Sequence, residues 1–178
     1  TSDPNSMVRI ACVNALKGTA TTDETKQLLL NVIQKDQSYS VVAAALTQLS
    51  TVDNKAALEM CSKLENEPSG KMQIGVSTVY AKYAGPEAIQ YFEKLFKSNT
   101  LQGFDEISAL SSLTYFASLQ DKKKKKKALG IYKDRYASGG MYTKMFMPQY
   151  VDYIIEKLQK DTASSSSTLL EQYKAFAA

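Results

Sequence analysis

Apolar residues recur at helical spacing along almost the whole chain, and sustained alternation with period two is nearly absent. Val42, Ala45, Leu46 and Leu49 follow the i, i+3, i+4, i+7 pattern of a buried helix face, and after the break at "STVDN" the stripe resumes with Ala57, Cys61 and Leu64. Such a pair of stripes makes an antiparallel hairpin. The pattern predicts an all-α fold with helices near residues 6–17, 22–35, 39–50, 53–65, 70–84, 86–97, 104–120, 124–138, 148–160 and 168–177. Punctuation agrees with this division. "TTDE", from Thr21 to Glu24, has capping-box spacing, Pro68 precedes Ser69-Gly70, and Gly85-Pro86 ends one helix and puts proline at the first position of the next. Gly139-Gly140 marks a break. Pro148 either kinks a longer helix or starts one that carries Val151, Ile154, Ile155 and Leu158 inward.

The hairpin repeats. "VRIACVNAL" at Val8 lies 33 positions before "VVAAALTQL" at Val41, with Val8/Val41, Ala11/Ala44 and Leu16/Leu49 identical. Second helices repeat as well: "AALEMCSKL" at Ala56 lies 31 positions before "EAIQYFEKL" at Glu87, which places Met60, Cys61 and Leu64 over Tyr91, Phe92 and Leu95. A period in the low thirties built of helix pairs predicts an α-solenoid of about 8–10 helices, because one hairpin buries its apolar face only against stacked neighbours. The expected organisation is a repeat domain over residues 1–160, followed over 161–178 by the serine-rich hinge "DTASSSST" and a short helix bearing Leu169, Leu170, Tyr173 and Phe176. The first residue is Thr, and the chain is expected to be a fragment of a longer polypeptide.

Charge singles out one stretch. The formal net charge is +4, but Lys122 to Lys127 form an unbroken run, and without it the balance falls to −2. Only Arg9 and Arg135 are arginines, the residue best suited to forked phosphate and base contacts. Six successive helical residues sweep the whole circumference, so the run cannot lie on one solvent face, and Lys125 falls in line with Leu129, Tyr132 and Tyr136. Lysines at a helix N-terminus also oppose the macrodipole. The sequence therefore predicts a frayed, protruding helix start, with firm helix only from about Lys125. The run reads first as a solvated helix end; Lys122, Lys123 and Lys124 are its candidate contact residues, with an acidic protein surface and weak contact to nucleic acid or anionic lipid as the two other readings, and no specific nucleic-acid or membrane partner is expected because no aromatic platform or glycine clamp flanks them.

Catalytic chemistry is nearly closed off by composition. Histidine is absent and the only cysteines are Cys12 and Cys61, which removes His-based triads, Cys–His pairs and clustered-thiolate zinc sites. Both cysteines sit in apolar helical patterns and read as small buried hydrophobes. No paired carboxylates, P-loop or GxGxxG motif occurs. Eleven tyrosines are present, and the Met- and aromatic-rich "MYTKMFMPQY" reads chiefly as packing, with Tyr142 and Tyr150 as candidate interaction residues where a repeat stack leaves a face open.

Three of these stretches, "VRIACVNAL", "DQSYSVVAAALTQLSTVDNKAALEMCSKLE" and "VYAKYAGPEAIQYFEKLF", resemble the HEAT-like helical C-terminal region of M1-family zinc aminopeptidases, over about residues 6–97. In that family zinc is held by HExxH and a downstream glutamate, and the substrate amino terminus by GxMEN, all on earlier domains. None of these motifs occurs here. The resemblance thus implies a non-catalytic lobe that packs on the catalytic domain, walls off its chamber and limits peptide entry. It places no cofactor in this chain, puts zinc in a catalytic domain elsewhere, and implies a bacterial cytoplasmic or periplasmic protein. An independent HEAT-repeat scaffold for a protein partner is the other reading of the same residues.

Overall fold

The computed structural model describes residues 2–18, 22–98, 100–161 and 168–177, and among them every regular element is helical. Two compact units are formed, Thr1–Gly85 and Pro86–Ala178.

The first unit holds α1 (Ser6–Ala15), α2 (Asp23–Lys35), α3 (Tyr39–Val52), α4 (Asn54–Leu64) and α5 (Gly70–Tyr83). Its centre is α3, which packs against the other four. The predicted stripe of Val42, Ala45, Leu46 and Leu49 is buried, as are Ala57 and Cys61 opposite it. Helix ends are set by side chains the sequence advertises. Asp53 closes α3 and opens α4, its carboxylate accepting from the Ala56 N–H at 2.9 Å, and it also meets Lys26 Nζ at 2.6 Å. The start of α2 is capped one residue later than the capping-box spacing predicts: Thr22, not Thr21, accepts from the Thr25 N–H, and Thr21 lies outside the described residues.

Glycine permits the closest helix approach in this unit. A Cβ on Gly75 of α5 would stand 2.9 Å from Ala43 Cβ and 3.1 Å from its Cα, so the two helices meet almost backbone to backbone. α1 is tied down by Arg9, whose guanidinium donates to both carboxylate oxygens of Asp36 at 2.7 and 2.9 Å. Hydrogen bonding from Arg9 holds the Asp36 carboxyl below the usual carboxylate range, and the Ser38 N–H adds to it. Because the folded value is depressed, this contribution is complete above the ordinary Asp value of about 4 and is lost as pH falls through the folded value. Asp36→Asn should therefore flatten the acid limb of a thermal-unfolding series recorded by circular dichroism, leaving a gap to wild type that is constant at neutral pH and closes in acid.

The second unit opens with a 3₁₀ turn, Pro86–Ala88, and continues through α6 (Ile89–Lys97), α7 (Phe104–Ser118), α8 (Lys122–Ser138), α9 (Met141–Lys160) and α10 (Thr168–Ala177). Tyr91, Phe92 and Leu95 of α6 are buried, as are Met60 and Cys61, their repeat equivalents in α4. Gly103 has a φ of 53° at the entry to α7, a left-handed conformation that suits glycine. Of the two alternatives at Pro148, the longer helix is the one formed: α9 begins at Met141 and carries proline in its interior, with Val151, Ile154 and Leu158 buried. The serine-rich segment 162–167 lies outside the described residues. Beyond it, α10 docks on α8 and α9 through Leu169, Leu170 and Tyr173.

Two sequence expectations fail here. α8 is helical from Lys122, not from about Lys125, and Lys125 is half-buried, although Lys122 and Lys123 are exposed. Asp121 explains the first point, because its carboxylate accepts from the Lys124 N–H at 2.9 Å and so supplies a negative charge where the lysines oppose the dipole. That backbone hydrogen bond also lowers the Asp121 pKa. The second point turns on Lys125, which is half-buried rather than thrust outward. Its Nζ donates to the Gln120 carbonyl while its stem packs inward, and burial lowers its pKa.

Cys12 is the other correction: it is exposed on α1, whereas Cys61 is buried and its thiol is pushed up to about 12 by desolvation. The spacing of Cys12 is correct for an apolar stripe, but nothing among the described residues covers that stripe. Native protein should therefore release one equivalent quickly in a dithionitrobenzoate titration at pH 8 and the second only on unfolding.

Candidate interaction surfaces

The second unit carries all five candidate residues. Along α8 the lysines divide by what they meet. Lys124 Nζ lies 3.4 Å from Asp121, Lys125 is held at Gln120, and Lys127 donates to Glu93 of α6 at 3.0 Å. Lys123 and Lys126 face solvent, and Lys122 is exposed. The Tyr173 hydroxyl donates to the Lys125 carbonyl at 2.7 Å, which pins α10 across the lysine turn. A run that reads as a continuous cationic grip is thus in large part committed to local contacts.

Tyr142 and Tyr150 separate. Tyr150 is half-buried, its hydroxyl donates to the Ile107 carbonyl at 3.1 Å, and burial raises its pKa, so it ties α9 to α7. Tyr142 is exposed and packs its ring on Phe104 at 5.2 Å between centroids. Met141 and Met145, 74% and 59% exposed, lie on the same side of α9 as Tyr142, and Phe104 is 66% exposed. These four side chains make an uncovered apolar patch. Lys122, Lys123 and Lys124 stand at one end of α8 and Tyr142 follows its other end, so the five predicted residues form no single site.

What holds this unit together was not singled out by sequence reading. Glu106 of α7 is almost fully buried, accepts from Arg135 Nε of α8 at 2.5 Å, and accepts from the Thr143 hydroxyl of α9 at 2.8 Å. Arg135 also reaches the Phe96 carbonyl at the end of α6, at 3.4 Å. Three helices are joined at this carboxylate, and Arg135 ties in the end of the fourth, α6. Gly139 makes room for it, since a Cβ there would stand 2.7–2.8 Å from the Thr143 side chain. Both oxygens of Glu106 are engaged, which gives the group an architectural task rather than a role in proton transfer. The arginine count gives a partial signal: each of the two arginines in the chain meets a carboxylate far off in sequence, Arg9 in a fork on Asp36 and Arg135 through a single Nε bond on Glu106.

Nearby, Thr114 Oγ1 donates to the Leu110 carbonyl at 2.8 Å and lies 2.8 Å from the hydroxyl of fully buried Tyr132. Because the threonine proton is already used, Tyr132 is the donor of that second bond. Between α6 and α8 runs a groove of about 330 Å³ floored by Phe96 and Ile131, with Lys97, Lys127 and Asp134 on its walls. Its charges are of both signs, and the Glu93–Lys127 pair crosses one end.

Among the described residues no three Cys, Asp or Glu side chains are placed to hold a metal ion, and no helix is long and apolar enough to cross a membrane. No family model, no curated protein and no solved structure matches the chain.

Proposed function

We propose that this chain is a non-catalytic lobe built as an α-solenoid of HEAT-like hairpins, and that it serves as the C-terminal accessory domain of a zinc-dependent M1-type aminopeptidase. Its work there is steric: it packs on the catalytic domain and shapes the passage through which peptides reach the zinc. The observation that carries the reading is the repeat register. Helices one repeat apart, α1 and α3, pack side by side, and α3 packs on α5 in turn. In the second unit α7 packs on α9, and α8 on both α6 and α10. Equivalent second-helix positions, Met60/Tyr91 and Cys61/Phe92, are buried in their respective units. The motif resemblance over residues 6–97 supplies the family.

Zinc belongs to the catalytic domain in this reading. The carboxylates of this chain do not offer a metal site among the described residues, and no step of peptide hydrolysis is assigned to them. The purified chain, supplied with zinc and a panel of aminoacyl-nitroanilides, should show no turnover above buffer; robust turnover that is abolished by a chelator would overturn the proposal.

A second reading, an independent HEAT-repeat scaffold for a protein partner, is favoured by the patch of Phe104, Met141, Tyr142 and Met145, because methionine and aromatic side chains make adaptable contact surfaces. The two readings part at the gene: the first needs a catalytic domain encoded upstream in the same frame, the second a start codon close to Thr1.

A further inference from the structure

The outward face of α7 is uncharged along its whole length. Phe104, Ser108, Ser111 and Tyr115 are exposed, as is Leu119, which caps the helix. At about 100° and about 1.5 Å per residue, these five fall within an arc of about 80° and form a strip about 22 Å long. The helix has two acids, Asp105 and Glu106, and both lie outside that arc. Ser108 donates to the Phe104 carbonyl at 2.8 Å and Ser112, at the edge of the strip, to the Ser108 carbonyl at 3.2 Å, so these hydroxyls turn their protons back on their own helix. At its start the strip shares Phe104 with the patch on α9. At its end Leu119, 61% exposed, is followed closely by exposed Lys122 and Lys123, with exposed Lys126 beyond them. The whole net charge of +4 belongs to this second unit, because the first is balanced at eight basic and eight acidic residues.

We propose that the α7–α8 corner is a contact for an anionic lipid bilayer. Tyr115 and Leu119 enter the boundary between headgroups and acyl chains, and Lys122, Lys123 and Lys126 reach the anionic headgroups. Charge complementarity and the uncharged strip together choose lipid. A face without charge enters hydrocarbon without stranding an ion, and serines bonded to their own helix call for no shaped counterpart. Tyrosine suits the interfacial layer, with its ring buried and its hydroxyl wet, and lysine stems lie along apolar surface while Nζ stays at headgroup level. A nucleic acid would engage the lysines but leave Leu119 in water. The inference departs from the sequence expectation of no membrane partner, because the fold sets exposed apolar side chains beside the lysines, and it rests on neither functional reading above.

Flotation of the whole chain with lipid vesicles tests it. Phosphatidylcholine vesicles containing about a third phosphatidylserine should bind the chain, phosphatidylcholine alone should not, and molar salt should release it. The triple variant Lys122→Gln/Lys123→Gln/Lys126→Gln should weaken binding about a hundredfold, at about fivefold for each lysine. Leu119→Glu and Tyr115→Glu, both at exposed positions, should each weaken it at least about tenfold while leaving the helical circular dichroism unchanged. The chain has no tryptophan, so Tyr115→Trp provides a reporter whose emission should shift to the blue on anionic vesicles. Absence of binding at millimolar anionic lipid would overturn the proposal. So would binding that the lysine variant abolishes but that Leu119→Glu and Tyr115→Glu leave unchanged, which would make the run a grip for soluble polyanions such as duplex DNA. A chain that ignores vesicles but forms a dimer dissolved by Leu119→Glu would overturn it too, and would give the strip to a second copy.

Discussion

Arg135→Met lowers the stability of the second unit by about 3–5 kcal/mol. That is the general cost of removing one partner from a buried ion pair and leaving the other charge uncompensated. The loss is large because Glu106 is almost fully buried and has only Thr143 left as a donor once the guanidinium is gone. Urea titration combined with hydrogen exchange on peptides from α7 and α9 measures it, with protection lost first where these helices meet. The double variant Glu106→Gln/Arg135→Met should recover at least half of the loss, because the damage comes from the stranded charge more than from the missing contact. If the single and double variants are equally unstable, the packing of the Arg135 stem, and not the ion pair, is what matters.

Gly75→Leu should be comparably severe in the first unit, costing at least about 3 kcal/mol, at the upper end of what overpacking produces. The first added carbon already stands 2.9 Å from Ala43 Cβ and 3.1 Å from its Cα, so backbone has to move, and α3 is also packed against α1, α2 and α4. Gly75→Ala is the informative companion. Alanine gains up to about 1 kcal/mol of helix propensity but meets the same clash, and Ala43→Gly in that background should relieve it. A Gly75→Leu protein as stable as wild type would mean that α3 and α5 do not approach as described.

The helical class was legible because it depends on periodicity, which single residues cannot disguise. Val42, Ala45, Leu46 and Leu49 are buried as a set, and Asp53, Ser69 and Pro86 stand where their backbone preferences place them, at helix junctions. What periodicity does not encode is who covers a face. Cys12 and Cys61 occupy equally good stripes, yet one is in solvent and the other buried, because the neighbour that decides it lies elsewhere in the chain or outside it.

The lysine run misled for a related reason. Helical geometry gives the direction of Lys125 correctly, but a lysine directed inward need not expel the helix, because its stem can pack while Nζ reaches the Gln120 carbonyl. Capping by Asp121, one residue upstream, was equally present in the sequence, and it outweighs the repulsion that argues for fraying. For the Glu106–Arg135–Thr143 knot the scarcity of arginine hinted only that Arg135 would find a carboxylate, not which one. The knot joins residues 29 and 37 positions apart, and no local pattern marks a glutamate as the one that will be buried.

The reading of this chain as the accessory lobe of a zinc aminopeptidase meets its most direct test in the coding sequence upstream of the Thr1 codon. The account predicts an open frame of several hundred codons continuous with this chain and containing HExxH, a downstream glutamate and GxMEN. An in-frame stop codon followed by a start codon close to Thr1 would contradict it.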